Sequence, residues 1–260
     1  MHLIAVVSAD ADIRHALRSF RDGQGRFHLH PVPPGGVEEL YRALRRLDFA
    51  GALVLDPGAQ PDALRLAERS SLDAEDVGGA DTATVTPGGV IAEYNLGRAA
   101  GALLASARWD ARGADVVLLG GAQAARGLAR ELSSQGAASI AMLGPSPSDA
   151  EQTLPKLPAG TRVVARAAND PLVPTLLEQA DLLVRLDSAV RVPAELLGPH
   201  LTLLDLVPEP VSALRRRAMS VGALTFNRRD LDAYLIELGL SHILGAPVGV
   251  EPLLDLFHTL

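Results

Sequence analysis

The sequence predicts an α/β protein in two parts, an N-terminal mixed α/β domain followed by a doubly wound domain on a parallel sheet. Three observations carry this. Apolar runs of strand length alternate with segments of helical apolar spacing along the chain, which implies a largely parallel sheet covered on both faces. In the first half, Thr86-Pro87-Gly88-Gly89 separates two short runs, the signature of a hairpin. In the second half, Ala114 to Arg126 reads as a buried strand, a glycine turn and a helix start. Doubly wound domains hold a dinucleotide pyrophosphate at such a junction.

Taken in order, residues 3–7, 27–31 and 51–55 are strands. Residues 12–20 and 37–46 between them are helices, the second marked by Val37, Leu40, Tyr41 and Leu44. A third helix is expected over 61–69, with proline in its first turn. The hairpin strands are 83–85 and 90–93. A helix over 96–108 leads to a polar, glycine-containing break at 110–113. Strands are then expected at 116–119, 139–143, 162–165, 182–184, 201–205 and 223–226. Helices fall near 123–135, 148–154, 172–180 and 211–221. The tail, 231–244 and 252–258, is helical.

Composition narrows the function. A length of 260 residues gives ample core. A net charge of −7 argues against nucleic acid, whose phosphates need a basic surface. Without cysteine there are no disulfides, thiolate chemistry or Cys-ligated metals. The apolar run at the start is too short for a signal peptide and nothing has the length of a membrane span, so a cytoplasmic protein is expected. Arginine is plentiful, whereas Lys156 is the only lysine.

Gly79-Ala80-Asp81-Thr82 and Tyr94-Asn95-Leu96-Gly97 frame the hairpin, and Gly120-Gly121-Ala122-Gln123 forms the later turn. In order and spacing these segments resemble the shikimate dehydrogenase family, where they read Ala-Val-Asn-Thr, Tyr-Asn-Thr-Asp-Gly and Gly-Ala-Gly-Gly. The resemblance spans nearly the whole chain. It implies a substrate-type domain of residues 1–101, joined by returning C-terminal helices at about 236–260, and a Rossmann-like domain of 102–235. It also implies NADPH-dependent reduction of 3-dehydroshikimate, with a small molecule held in a cleft between the domains. A monomer or a homodimer is expected.

The departures from the family pattern bear on function. In a dinucleotide turn the first glycine permits the turn, the second admits the pyrophosphate and the third lets the helix pack. Gly120 supplies the first, but Ala122 and Ala125 hold the other two, and Gln123 replaces the family's last glycine. Arg126 matches the family's Ala-Ala-Arg. The turn is either a cofactor site or only a strand–helix junction. Pro145 stands at the family's 2′-phosphate arginine, and Arg185-Leu186-Asp187 at its Asn-Ala-Thr loop. NADP or NAD is therefore expected to bind weakly, NADP no better than NAD.

Hydride transfer at a secondary alcohol needs a proton carried to or from oxygen. The resemblance assigns that task to a Lys in Asn-Val-Thr-x-Pro-x-Lys and to the Asp of Asn-Thr-Asp. Here those positions are Ala59 (Gln60 with a one-residue slip) and Gly97, so no intact catalytic pair remains. Asp81 and Asp56 are the substitutes, as a relocated base or as loop and turn residues. Asp81, Thr82 and Asn95 occupy substrate-binding positions, with a helix-start role open to Asn95. The family's Ser-x-Ser is missing from 9–15, and its C-terminal Gln aligns with Leu235. Asp205-Leu206-Val207 and Pro210 keep the pattern Asp-Leu-Val-Tyr-x-Pro. Little or no shikimate dehydrogenase activity is expected. The rivals are an oxidoreductase with a changed substrate and a small-molecule binding protein.

Other signals read more plainly. His28 and His30 share a strand face, but without a third ligand they are a surface pair and no metal is expected. Arg215-Arg216-Arg217 reads as an exposed helix face. Ser8 to Asp12 reads as a helix cap.

Overall fold

The computed structural model describes residues 1–153, 157, 160–190, 192–207 and 212–259. The chain divides into two compact units, Met1–Ala99 with Asp232–Leu260, and Ala100–Leu231. Both are α/β, with one sheet mixed and the other wholly parallel.

The first unit begins β1 (His2–Val7), α1 (Ala11–Ser19), β2 (Phe27–Val32), α2 (Val37–Leu44), β3 (Phe49–Val54) and α3 (Gln60–Leu66). It continues through β4 (Arg69–Ser70), α4 (Leu72–Val77), β5 (Thr82–Thr86) and β6 (Gly89–Glu93) into α5 (Leu96–Ser106). Its sheet has the order β2-β1-β3-β5-β6-β4. The first three strands are parallel, and the β5–β6 hairpin joins antiparallel to β3. Ala5, Val7, Ala52 and Val54 on the sheet pack with Tyr41, Leu44 and Ala63.

The edges of this sheet are short or blunt. The bonds from His2 N to Arg26 O (2.7 Å) and from Ser8 N to Val32 O (3.2 Å) turn the even-numbered residues of β2 toward β1. Pro31, an odd one, therefore has its missing N–H on the open side. The other edge, β4, is two residues long.

The helix expected over 61–69 ends instead at Leu66. Glu68 N donates to Val90 O (3.1 Å) and Val90 N donates to the Glu68 carboxylate (2.6 Å). Pairing with the hairpin overrides the local helical signal and makes β4. A further helix, α4, follows, with Ser71 Oγ accepting from Ala74 N (3.2 Å). A serine before the acid-rich Leu72-Asp73-Ala74-Glu75 is a recognisable helix start.

The second unit contains β7 (Asp115–Leu119), α6 (Ala122–Ser134), β8 (Ser139–Gly144), α7 (Pro147–Gln152), β9 (Arg162–Ala167), α8 (Val173–Gln179) and β10 (Leu182–Arg185). It ends with β11 (Thr202–Asp205), α9 (Ala213–Ser220) and β12 (Leu224–Asn227). The order β12-β11-β10-β7-β8-β9, all parallel, is doubly wound, and the strand order reverses between β7 and β10. Leu154 and Val211, expected at helix ends, lie outside the described residues.

The chain closes with α10 (Arg228–Leu244) and α11 (Glu251–His258). α10 starts three residues before the expected 231 because of a reciprocal cap. Asn227 N donates to Asp230 Oδ2 (2.8 Å), and Asp230 N donates to Asn227 Oδ1 (3.0 Å). Residues Leu231 to Ile236 are all buried, as in a core helix. Within the first unit, Gly239 lets α10 approach the sheet; a Cβ there would collide with Leu53 and stand 3.0 Å from Thr82 Oγ1. At Gly51 a Cβ would collide with the Ala83 carbonyl and stand 2.9 Å from Ile243. Gly51→Ala should therefore destabilise by about 1–3 kcal/mol, as overpacking does, measured by chemical denaturation. An unchanged midpoint would contradict this packing.

Candidate functional site

The glycine turn in the second unit is tighter than its sequence implies. Gly120 (φ 73°) and Gly121 (φ 71°) are both left-handed, which favours glycine. A Cβ on Gly120 would stand 2.5 Å from Asp187 Cβ, and one on Gly121 would stand 2.5 Å from Leu186 Cβ. The loop after β10 is thus laid directly on the turn. Gly121 is the N-cap of α6 and offers no side chain to its first-turn amides. The side chain of Ala122, which stands where the second glycine would admit the pyrophosphate, lies outside the described part of the structure.

Beside the turn, at the carboxyl ends of β7 and β8, lies a cavity of about 340 Å³. Leu118, Met142 and Leu143 give it an apolar wall, and Gly120, Gly121, Arg126, Pro145, Asp149 and Asp187 also line it. That volume lies near the lower end of the usual range for ligand pockets, about 300–1,000 Å³. Arg126, whose Nη2 donates to Gln152 O (2.8 Å), is the single cationic side chain among the described lining residues. Gln123 lies in the first turn of α6 and is not among the lining residues described.

Asp149 was not apparent as a site residue from the sequence. Its N–H donates to Ser146 Oγ (3.2 Å), and Ser146 Oγ donates to its Oδ2 (2.6 Å), which caps α7. Asp187 Oδ1 accepts from Ala189 N (2.8 Å). The second oxygen of each carboxylate has no hydrogen-bond partner among the described residues. Ser146-Pro147-x-Asp149 is a helix-start pattern that could have drawn attention to this acid. Arg185, at the end of β10, pairs instead with buried Asp205 at 3.5 Å.

In the first unit, Asp81 is fully buried behind β3 and caps α5. Its Oδ2 accepts from Asn95 N (2.7 Å) and Leu96 N (2.8 Å), and its Oδ1 accepts from Thr82 Oγ1 (3.0 Å). Asn95 Nδ2 donates to Thr82 Oγ1 (3.0 Å), so Asp81, Thr82 and Asn95 form one buried network. Burial raises the Asp81 carboxyl pKa to about 7 against the opposing pull of these bonds, and the nearby Glu93 charge adds to the rise. Glu93 pairs with His242 at 3.0 Å.

The two positions that the resemblance assigns to proton transfer, Ala59 and Gly97, carry no acid or base. Ala59 is buried in the core, and Gly97 lies in the first turn of α5. Gln60, the slipped alternative to Ala59, is also buried and donates to Val54 O (3.0 Å). Asp56 follows β3, is half-buried, and has no side-chain partner among the described residues. Only Ser8, Ala9 and Asp10 separate β1 from α1, so this loop holds a single serine and no serine pair. Asp10 caps it, accepting from Asp12 N (2.8 Å) and Ile13 N (3.2 Å). Leu235 is buried in α10. Pro210 and Lys156 lie outside the described residues.

The remaining signals are peripheral. His30 stands edge-on to Phe49, with ring centroids 6.1 Å apart. Among the described residues no three His, Asp or Glu come together as a metal site, and no helix is long and apolar enough to cross a membrane.

No protein-family model and no curated protein matches the sequence. Solved structures do match the fold. Quinate dehydrogenase from Corynebacterium glutamicum in complex with NAD is 16% identical, with 100% of this chain and 99% of that one covered at a TM-score of 0.82. Shikimate 5-dehydrogenase from Thermus thermophilus in complex with NADP(H) and shikimate is 19% identical, covering 100% and 99% at 0.77. The fold is that of the shikimate dehydrogenases. The ligand-free 5-ketofructose reductase of a Gluconobacter strain has it too, at 19% identity, 99% and 98% coverage and a TM-score of 0.80. Identity of 13–19% across such neighbours makes this chain a divergent example of the shikimate dehydrogenase fold.

Proposed function

We propose that this protein retains the shikimate dehydrogenase fold for binding small molecules and has lost the family's dehydrogenation of shikimate. The observation that carries this reading is the fate of the proton-transfer groups. Ala59 and Gly97 have no ionisable side chain, the Gln60 amide is engaged by Val54 O, and both Asp81 oxygens accept hydrogen bonds inside the fold. In the second unit, the cavity takes the adenosine end of a nucleotide. Asp149 bonds the ribose hydroxyls, and Pro145 offers no cation for a 2′-phosphate. We infer cytoplasmic action on a small-molecule ligand, as monomer or homodimer.

Calorimetry should find NADP binding weaker than micromolar and no tighter than NAD. A sub-micromolar NADP dissociation constant would show that the cavity does hold a 2′-phosphate.

A second reading rests on Asp56, whose carboxylate has no partner among the described residues. In this reading Asp56 is the base of an NAD(P)-dependent oxidoreductase acting on another hydroxy acid or polyol. Turnover of any such substrate, abolished by Asp56→Asn with binding kept, would favour it over the first.

A further inference from the structure

We propose that the first unit holds a ligand site of its own, at the carboxyl ends of β1 and β2, for a small apolar molecule that carries a protonated amine. Every described lining residue belongs to that unit, so the proposal is independent of the nucleotide reading of the other cavity. The sheet order β2-β1-β3 takes the chain outward from β1 to β2 and then back across β1 to β3. Right-handed crossovers therefore place α1 and α2 on opposite faces, and the chain leaves β1 and β2 in opposite directions. Ligands of open α/β sheets lie in crevices outside the carboxyl ends of the strands. Here the crevice is a cavity of about 520 Å³, within the usual range for ligand pockets of about 300–1,000 Å³. Val7 and Val32 line it from the strands, and Leu40 and Ala43 line it from α2. Asp81, Asn95, Ala59 and Gly97, which the resemblance assigns to substrate and proton transfer, are not among its described lining residues.

The charge of this cavity has one sign. Glu39 is the single charged side chain among the described lining residues, and it is exposed. Gly36, the left-handed N-cap of α2 (φ 87°), makes room for it, since a Cβ there would stand 3.3 Å from Glu39 Oε2. Glu38, beside it in the first turn, pairs with Arg42, whereas the Glu39 carboxylate has no partner among the described residues. The two acids already complement the positive end of the α2 dipole, so a carboxylate entering the cavity meets charge of its own sign. An apolar body against Val32 and Leu40, with its ammonium at Glu39, matches both the walls and the charge. The ammonium stays in contact with water there, which spares it the cost of full desolvation.

The test is calorimetry on the full-length protein with three probes of similar shape: tryptamine, the neutral indole-3-ethanol and the anion indole-3-propionate. Tryptamine is expected to bind most tightly and indole-3-propionate most weakly. Glu39→Gln should weaken tryptamine about two- to fivefold, as loss of an exposed ion pair does, and leave indole-3-ethanol unchanged. Ala43→Trp, which fills the cavity, should abolish tryptamine binding; if that variant does not fold, the Glu39→Gln comparison decides alone. No binding of tryptamine at millimolar concentration, or indole-3-propionate binding as tightly as tryptamine, would overturn the proposal. So would an unchanged tryptamine affinity in Glu39→Gln, or tryptamine binding kept by a folded Ala43→Trp.

Discussion

Purified protein incubated with shikimate and either NADP or NAD is expected to yield no reduced cofactor above a trace. General acid–base assistance alone is typically worth about 10²–10⁴-fold in rate, and under the proposed reading both positions that would supply it, Ala59 and Gly97, have no acid or base. Misaligned donor and acceptor would add to that loss. Restoring Ala59→Lys and Gly97→Asp together should not rescue turnover. Ala59 is 5% exposed in the core, so a lysine there meets a desolvation cost before it meets a substrate. The resemblance also expects a serine pair, which 9–15 lacks, and a glutamine where Leu235 stands. Robust shikimate oxidation by the unmodified protein, lost in Asp56→Asn or Asp81→Asn, would instead establish a relocated base and an active enzyme.

The second large effect is on stability. The wild-type protein should lose stability relative to Asp81→Asn as pH rises from about 4 to about 7. The sign follows from proton counting. Asp81 has a folded pKa near 7 against an ordinary 3.8, so between those values the folded state holds a proton that the unfolded state has released. Folding is then favoured by acid, and the advantage is lost as pH passes through the folded pKa. A shift of that size corresponds to a few kcal/mol in order of magnitude. Asparagine can still accept from Asn95 N and Leu96 N while its amide donates to Thr82 Oγ1, so the variant should keep the cap without the titration. Denaturation midpoints of the two proteins across this pH range make the comparison. A wild-type curve parallel to that of Asp81→Asn would mean that the carboxylate is ionised in the fold at its ordinary pKa.

Much of the fold was legible because its signals are local and repeated. The strand–helix alternation of the second unit, the Thr86–Gly89 turn and the glycine pair before α6 can each be read from a few residues. The misreading at 67–69 had a non-local cause. Glu68 is captured by Val90, twenty-two residues away, and no helical periodicity reports that pairing. The site divides in the same way. That Ala59 and Gly97, the positions the resemblance assigns to proton transfer, have no ionisable side chain can be read from the sequence alone. The commitment of Asp81 to the α5 amides depends on a fold that brings Asn95 N to 2.7 Å. The packing of Leu186 and Asp187 on the glycine turn depends likewise on β10 lying beside β7, although the two strands are far apart in the chain.

The position of Pro31 also bears on how the protein behaves in a crowded solution. An exposed sheet edge is a template on which a stray extended segment, or another copy of the same strand, can add itself and begin aggregation. The first unit denies that template on both sides. One margin lacks an N–H where an incoming carbonyl would seek it, and the other is only two residues long, too short to hold a recruited strand. Replacing Pro31 with a β-branched residue would complete the open ladder and should shorten the time to turbidity at high protein concentration, without altering the interior that holds the fold together.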